Sequence, residues 1–150
     1  MQATLQQHEF IDAFRSRFIG IIEWRQLDDF WSTVNKQAEK DWYIYAVGEP
    51  VPTAPSSAEE TRIFISEIDA LLHKEHQEDY CGIVYTDDTS DPHFIKIFDP
   101  NNLGVVCGYS DNPPLPGWIM STIAPVDLHD TSILPGNRRR WWQKIWKKTG

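Results

Sequence analysis

The histidines most able to bind a metal in this chain are His73 and His76, three positions apart on a predicted helix. This spacing could bring two imidazoles to one metal ion. The two residues also stand near the predicted helix C-terminus, where the helix dipole alone favours histidine. The sequence contains no HExxH motif and no second histidine cluster. We therefore expect no metal site.

The two cysteines, Cys81 and Cys107, offer nucleophilic chemistry without the motifs that usually support it. They form no CxxC pair, and the absence of a secretory signal predicts reduced thiols in a cytoplasm. A cysteine–histidine nucleophile with His93 or His129 as its base stays open. The chain also lacks the GxSxG, GxxxxGK[ST] and GxGxxG motifs. We predict no catalytic residues and no cofactor.

One set of residues supports a small-ligand site as an alternative. Alternation along the predicted strands places Lys96, Cys107 and Tyr109 on one aromatic face of a sheet. An amine, a thiol and a phenol in one cleft could bind or act on a small molecule. An enzyme or small-ligand binder that uses this face is therefore our second hypothesis, and a deep pocket over it would support that hypothesis.

The strongest chemical signal is the C-terminal tail, which we define as residues 137–150. The tail holds six of the 14 basic residues, whereas all 22 acidic residues precede position 131. On a helical wheel its apolar residues fall within an arc of about 140° that excludes nearly all of its cations. This pattern is typical of a basic amphipathic helix that docks on a partner. The tail residues predicted to contact that partner are Arg139, Arg140, Trp141, Trp142, Ile145 and Trp146.

The tail could meet three kinds of surface: the acidic body of its own chain, another protein, or an anionic membrane. An isolated helix of this length is marginal in water, so the tail should fold only on contact. At an anionic membrane each cation would contribute about 1 kcal/mol. Nucleic acid is an unlikely partner because the acidic body would repel phosphate groups.

A proline-rich loop at 111–118 provides a further candidate contact surface. Stiff prolines beside an aromatic ring make a pre-organised segment that favours recognition by a partner. We name Pro114 and Trp118 as partner-binding candidates on this ground. The alternative role for Trp118 is to cover the edge of the sheet.

Local sequence patterns predict the elements that would position these residues. Apolar spacing predicts helices at about 4–19, between Leu27 and Ala38, and at about 58–76, the last opened by a capping box at Ser57 and Glu60. Gly20 is expected to separate the first two helices. Aromatic and β-branched runs predict strands at 42–47, 81–86, 93–98, 103–109 and 117–122.

Turn positions suggest how the predicted strands pair. Turns centred after Thr89 and after Asn101 would place Cys81 opposite Phe98, and Phe98 opposite Val105. One face would then be aromatic and would include Cys81 and Ile83. The other face, with Val84, Ile95 and Ile97, is β-branched and contains glycines, so we expect the helices to pack there.

The sequence thus predicts an α+β fold, with an antiparallel sheet of four to five strands, including a meander over 81–109, in two layers with about three helices. A length of 150 residues, 41% hydrophobic and 24% charged, suits one globular domain over 1–136 followed by the tail. We expect a cytoplasmic, non-catalytic accessory or regulatory protein that binds a protein partner. Peripheral membrane association through the basic tail is a further alternative.

Overall fold

The computed structural model describes residues 2–102, 115–128 and 136–146. In these parts of the chain no helix combines the length and the hydropathy that crossing a membrane requires. A short 3-10 helix at Pro100–Asn102 follows the fourth strand. The helices and strands are, in chain order, α1 (Gln2–Phe14), β1 (Ile19–Ile21), α2 (Trp24–Lys36), β2 (Tyr43–Ala46), α3 (Ala58–Glu75), β3 (Val84–Thr86), β4 (Phe94–Ile97), β5 (Trp118–Ser121) and α4 (Gly136–Trp146).

The five strands of the described residues form one antiparallel sheet in the order β1-β3-β4-β5-β2. The predicted α+β class with an antiparallel sheet is therefore confirmed, although the order is not a strict meander. On its second side β4 pairs with β5 over Phe94–Ile97, and Val105, the predicted partner of Phe98, lies outside the described residues. The predicted strand at 103–109 lies outside the described residues.

The pairing of β3 with β4 differs by two residues from the predicted register. Val84 lies opposite Ile97, so Cys81 does not face Phe98. The connecting loop explains the difference, because Asp87 Oδ1 accepts hydrogen bonds from the backbone N–H groups of His93 and Phe94 and closes the hairpin at that point. A shift of two residues keeps the side chains within β3 and β4 on their predicted faces.

The β-branched face of the sheet carries the main core, as predicted. Val84, Ile95 and Ile97 are fully buried there against α2 and α3. The predicted capping box of α3 is confirmed, since Ser57 Oγ accepts from Glu60 N–H and Glu60 Oε1 accepts from Ser57 N–H. The apolar stripe of α2 that packs into this core consists of Leu27, Phe30, Trp31 and Val34.

The first helix packs on the opposite face of the sheet, so the expectation that all helices share one face is wrong for α1. Phe10 is fully buried, with its ring centre 5.3 Å from that of Phe94 on β4. Phe14 and Phe18 contact the same Phe94 ring. The aromatic stripe of the first segment therefore covers the aromatic face of the sheet.

The segment after α1 is a strand where the sequence predicted helix and a glycine break. The helix ends at Phe14, and Ile19–Ile21 pair with β3 as the first strand of the sheet. Next to this pairing Gly82 has φ 69°, a left-handed conformation that breaks the alternation before β3. As a result Cys81 and Ile83, predicted on the aromatic face, lie in the main core.

Candidate functional site

The aromatic side of α4 faces the body of its own chain. The rings of Trp142 and Trp146 lie 6.1 and 6.5 Å from the ring of Phe64 on α3, measured between ring centres. Ile145 is only 1% exposed and belongs to the main core. The predicted amphipathic helix therefore forms, and its apolar side contacts α3 and the sheet.

A buried arginine fixes the start of α4. Arg138 is 5% exposed, and its guanidinium donates to both carboxylate oxygens of Asp99 at 2.8 and 2.9 Å. The same guanidinium lies 2.6 Å from Glu75 Oε2 at the end of α3. Burial alone would lower the pKa of Arg138, but the hydrogen bonds and charges of the two carboxylates outweigh it and raise that pKa.

The polar side of α4 faces outward. Arg140, Gln143 and Lys144 are exposed, and the two cations stand four residues apart on one side of the helix. The Arg139 side chain and the residues after Trp146 lie outside the described part of the chain. The outward surface that α4 offers to a partner is therefore cationic, while Trp141, Trp142 and Trp146 are partly buried.

The two loop candidates have different placements. Trp118 begins β5, between two other strands, and is 3% exposed with its ring 5.5 Å from that of Trp141. Its side chain is thus a core contact between the sheet and α4. Pro114 lies outside the described residues.

The predicted ligand face is covered where the structure describes it. The ammonium of Lys96 lies 4.1 Å from the ring centre of Phe14 and 3.9 Å from that of Phe18, and it donates to Phe14 O at 2.6 Å. Burial lowers the pKa of Lys96 to about 8. Lys96 therefore holds the C-terminal end of α1 on the sheet. Cys107 and Tyr109 lie outside the described residues.

Of the remaining nucleophile and histidine candidates, Cys81, His73 and His76 have structural contacts, His93 is exposed, and His129 lies outside the described residues. Cys81 is fully buried, and burial raises the pKa of its thiol, which keeps it neutral. The Nε2 atom of His76 lies 2.8 Å from the carbonyl oxygen of Cys81. His73 stacks near Trp24, with 4.4 Å between ring centres. His76 also lies near Trp24, with 6.0 Å between ring centres, so both histidines have structural contacts.

One cluster between α2 and α3 could hold a small cation. Asp28, Asp69 and His73 each offer a ligand atom, and these atoms lie within 4.8 Å of one another. Burial raises the pKa of Asp69, which is opposed by the charge of His73 and reinforced by that of Asp28. Asp69 Oδ1 already lies 3.3 Å from His73 Nε2. Since exposed acidic groups at such spacings are common in proteins that bind no metal, we assign the cluster no function.

The free edge of the sheet at β1 is the surface with unusual chemistry. Among the described residues, three large hydrophobic side chains are exposed: Ile19 at 50%, Ile22 at 54% and Tyr80 at 56%. We call these three residues the edge patch. Tyr80 and Ile22 lie close together, because the backbone N–H of Cys81, next to Tyr80, donates to Ile22 O, while Ile19 lies on the other face of the same strand edge. Of the described strands, β1 pairs with β3 alone, so none of them covers its outer edge.

A groove runs beside this open edge, between β1 and α2. Its volume is about 280 Å³, and Ile19, Ile21 and Phe30 give it an apolar wall. Asp29 is the charged residue that lines it, within the part of the chain that the structure describes. We call this the edge groove; its other lining residues are Gly20, Gln26, Thr33 and Thr89.

Sequence reasoning missed this surface because residues 18–22, FIGII, were assigned to a helix and its break. Three isoleucines within five residues favour a strand, and this signal could have identified β1. The exposure of Ile19 and Ile22 could not have been predicted, because it depends on β1 lying at the edge of the sheet.

Comparison of the chain with protein-family models, with curated proteins and with solved structures finds no match. The assignment of a function therefore depends on the residues and surfaces described above.

Proposed function

We propose that this chain is a non-catalytic accessory or regulatory protein of the cytoplasm, which acts by binding another protein. The partner binds at the β1 edge by adding an extended segment as a further strand. The single observation that carries the proposal is the coincidence of the open strand edge with the edge patch. A strand edge with unpaired backbone groups and exposed apolar side chains beside it is a surface at which proteins add a strand.

Two further features support an edge-binding function. Exposed apolar side chains that lie together, rather than singly, mark interaction sites on soluble proteins. The other apolar surface suggested by the sequence, the ring side of α4, is used within the chain, where Ile145 is 1% exposed. A partner of α4 would therefore meet mainly its outward cations, Arg140 and Lys144.

The test compares two variants of the full chain in quantitative affinity capture. Ile19→Thr with Ile22→Thr removes the apolar edge and keeps β-branched residues that suit a strand. Arg140→Gln with Lys144→Gln removes the outward cations of α4 and is the matched control. Circular dichroism and thermal unfolding establish that both variants fold as the parent does.

We expect the capture to recover a protein that binds the parent and the α4 control but not the edge variant. The same protein, once purified, should bind the parent directly. Equal capture by the parent and the edge variant would contradict the proposal. Loss of the same protein from the α4 control alone would assign binding to the cationic side of α4 and would also contradict it.

A further inference from the structure

We infer that the segment added to β1 is basic: it carries a lysine or arginine whose side chain enters the edge groove, and an apolar residue that packs on Ile22. This inference rests on the proposed function and specifies the chemistry of the partner. It follows from the different surfaces on the two faces of the open edge.

The two faces can be assigned from neighbours of the glycine in β1. A Cβ atom on Gly20 would lie 3.0 Å from the Tyr85 ring and 3.8 Å from Ile22 Cδ1, so these two side chains lie on the face of Gly20. Ile19 and Ile21 line the groove on the opposite face. Since side chains alternate along a strand, an added strand would place successive residues over Ile22 and over the groove.

The edge groove suits one long side chain with an apolar stem and a cationic head. Its wall of Ile19, Ile21 and Phe30 can cover a methylene chain, while the carboxylate of Asp29 can pair with a terminal cation. A volume of about 280 Å³ is enough for one such side chain. An acidic side chain in this position would be repelled by Asp29.

The charge around the edge patch also favours a basic partner. Glu23, Glu78 and Asp79 are exposed beside it, against two exposed cations, Arg17 before β1 and Arg25 on α2. The whole chain has a formal net charge of −8. A basic segment would be attracted over several ångströms, whereas a second copy of this anionic chain would be repelled.

The probes are short synthetic peptides added to the ¹⁵N-labelled full-length protein and followed by NMR. One peptide alternates lysine with valine, and two others replace every lysine by glutamate or by threonine. A fourth has the lysine–valine sequence with alternate backbone nitrogens methylated, which removes the donors that an added strand needs. We expect the lysine–valine peptide to shift the β1 amides most strongly and the methylated peptide to lose binding.

Two protein variants locate the charge contact. Asp29→Asn should lower the affinity for the lysine–valine peptide about two- to fivefold, as expected for the loss of a partly exposed ion pair. Asp28→Asn is the matched control, because Asp28 is an exposed acid on the same helix that does not line the edge groove. It should leave the affinity nearly unchanged.

The outcomes separate the inference from the proposed function. If no peptide shifts the β1 amides, or if the methylated peptide binds equally well, strand addition at this edge is contradicted. If the glutamate or threonine peptide binds as tightly as the lysine peptide, strand addition stands and the basic chemistry is wrong. Equal effects of Asp28→Asn and Asp29→Asn would overturn the assignment of the cation to the groove.

Discussion

The C-terminal helix α4 and the first strand β1 differ in how their sequences relate to their exposure. α4 has the most conspicuous cluster of tryptophans, yet Ile145 is 1% exposed and the rings pack toward Phe64 and Trp118. β1 has an ordinary apolar sequence, yet Ile19 and its neighbour Ile22 are about half exposed. The comparison teaches that a contact surface is recognised by what the core leaves uncovered, and less by how apolar a segment is.

The difference in exposure between α4 and β1 depends on ion pairs as well as on the packing of aromatic rings. The cation that opens α4, Arg138, is matched by the carboxylates of Glu75 and Asp99, so docking of the helix satisfies groups on both sides. The outer edge of β1 has no corresponding strand among the described residues. Ile19 of this strand is 50% exposed to solvent or to a partner, whereas Ile21 packs into the main core.

The largest effect is expected from Arg138→Ala, which tests whether α4 is part of the fold. Removing one partner of a buried ion pair leaves the other charges unpaired and costs about 3–5 kcal/mol. Unfolding in urea, followed by circular dichroism, measures this loss. The matched control is Arg140→Ala on the exposed side of the same helix, for which we expect a change within about 0.5 kcal/mol. Equal stability of the two variants would contradict the docked position of α4.

The same substitution to alanine at two isoleucines, one on α4 and one beside β1, compares the two regions directly. Ile145→Ala removes a fully buried side chain and should lower the free energy of unfolding by about 2–5 kcal/mol. Ile22→Ala, at a side chain that is 54% exposed, should change it by about 0.5 kcal/mol or less. Urea unfolding of both variants gives the difference directly. A larger loss for Ile22→Ala would mean that the edge patch is structural.

Lys96 is a second covered cation, and its contacts are rings and a carbonyl where those of Arg138 are carboxylates. It therefore tests the effect of burial on the pKa of a cation. Lys96 contacts two phenyl rings and a carbonyl, and burial lowers its pKa from 10.5 to about 8. The folded state therefore releases this proton before the unfolded state does. The stability of the parent relative to Lys96→Met should rise as the pH increases from about 8 to 10.5.

This pH dependence is checked in two ways. Unfolding of the parent and of Lys96→Met is measured at several pH values, and the NMR shift of the Lys96 side chain is followed through the titration. A Lys96 pKa at or above its ordinary value, with parallel pH profiles of the two proteins, would show that the rings and Phe14 O outweigh burial.

Elements whose signals are local could be predicted from the sequence. The capping box that sets the start of α3 spans only the four residues from Ser57 to Glu60. The aromatic, β-branched run at 42–47 specifies β2. The amphipathic pattern of the tail similarly predicts a helix, and α4 is one. These signals need no knowledge of distant residues.

Features that depend on distant partners could not be predicted. Arg138 is buried only because Glu75 and Asp99 converge on it from other elements. The register of β3 and β4 depends on a loop closed by Asp87, and the strand at 19–21 depends on pairing with β3. The candidate site belongs to this class, since an edge exists only once the order of the strands is set.

Hydrogen–deuterium exchange of the free protein and of its complex with the captured partner tests the central claim most directly. We predict that partner binding slows exchange of the amides in residues 18–23 and leaves residues 136–146 unchanged, because backbone groups at an open edge become hydrogen-bonded when a strand is added. Slower exchange in 136–146 with no change in 18–23 would contradict the claim and assign binding to α4.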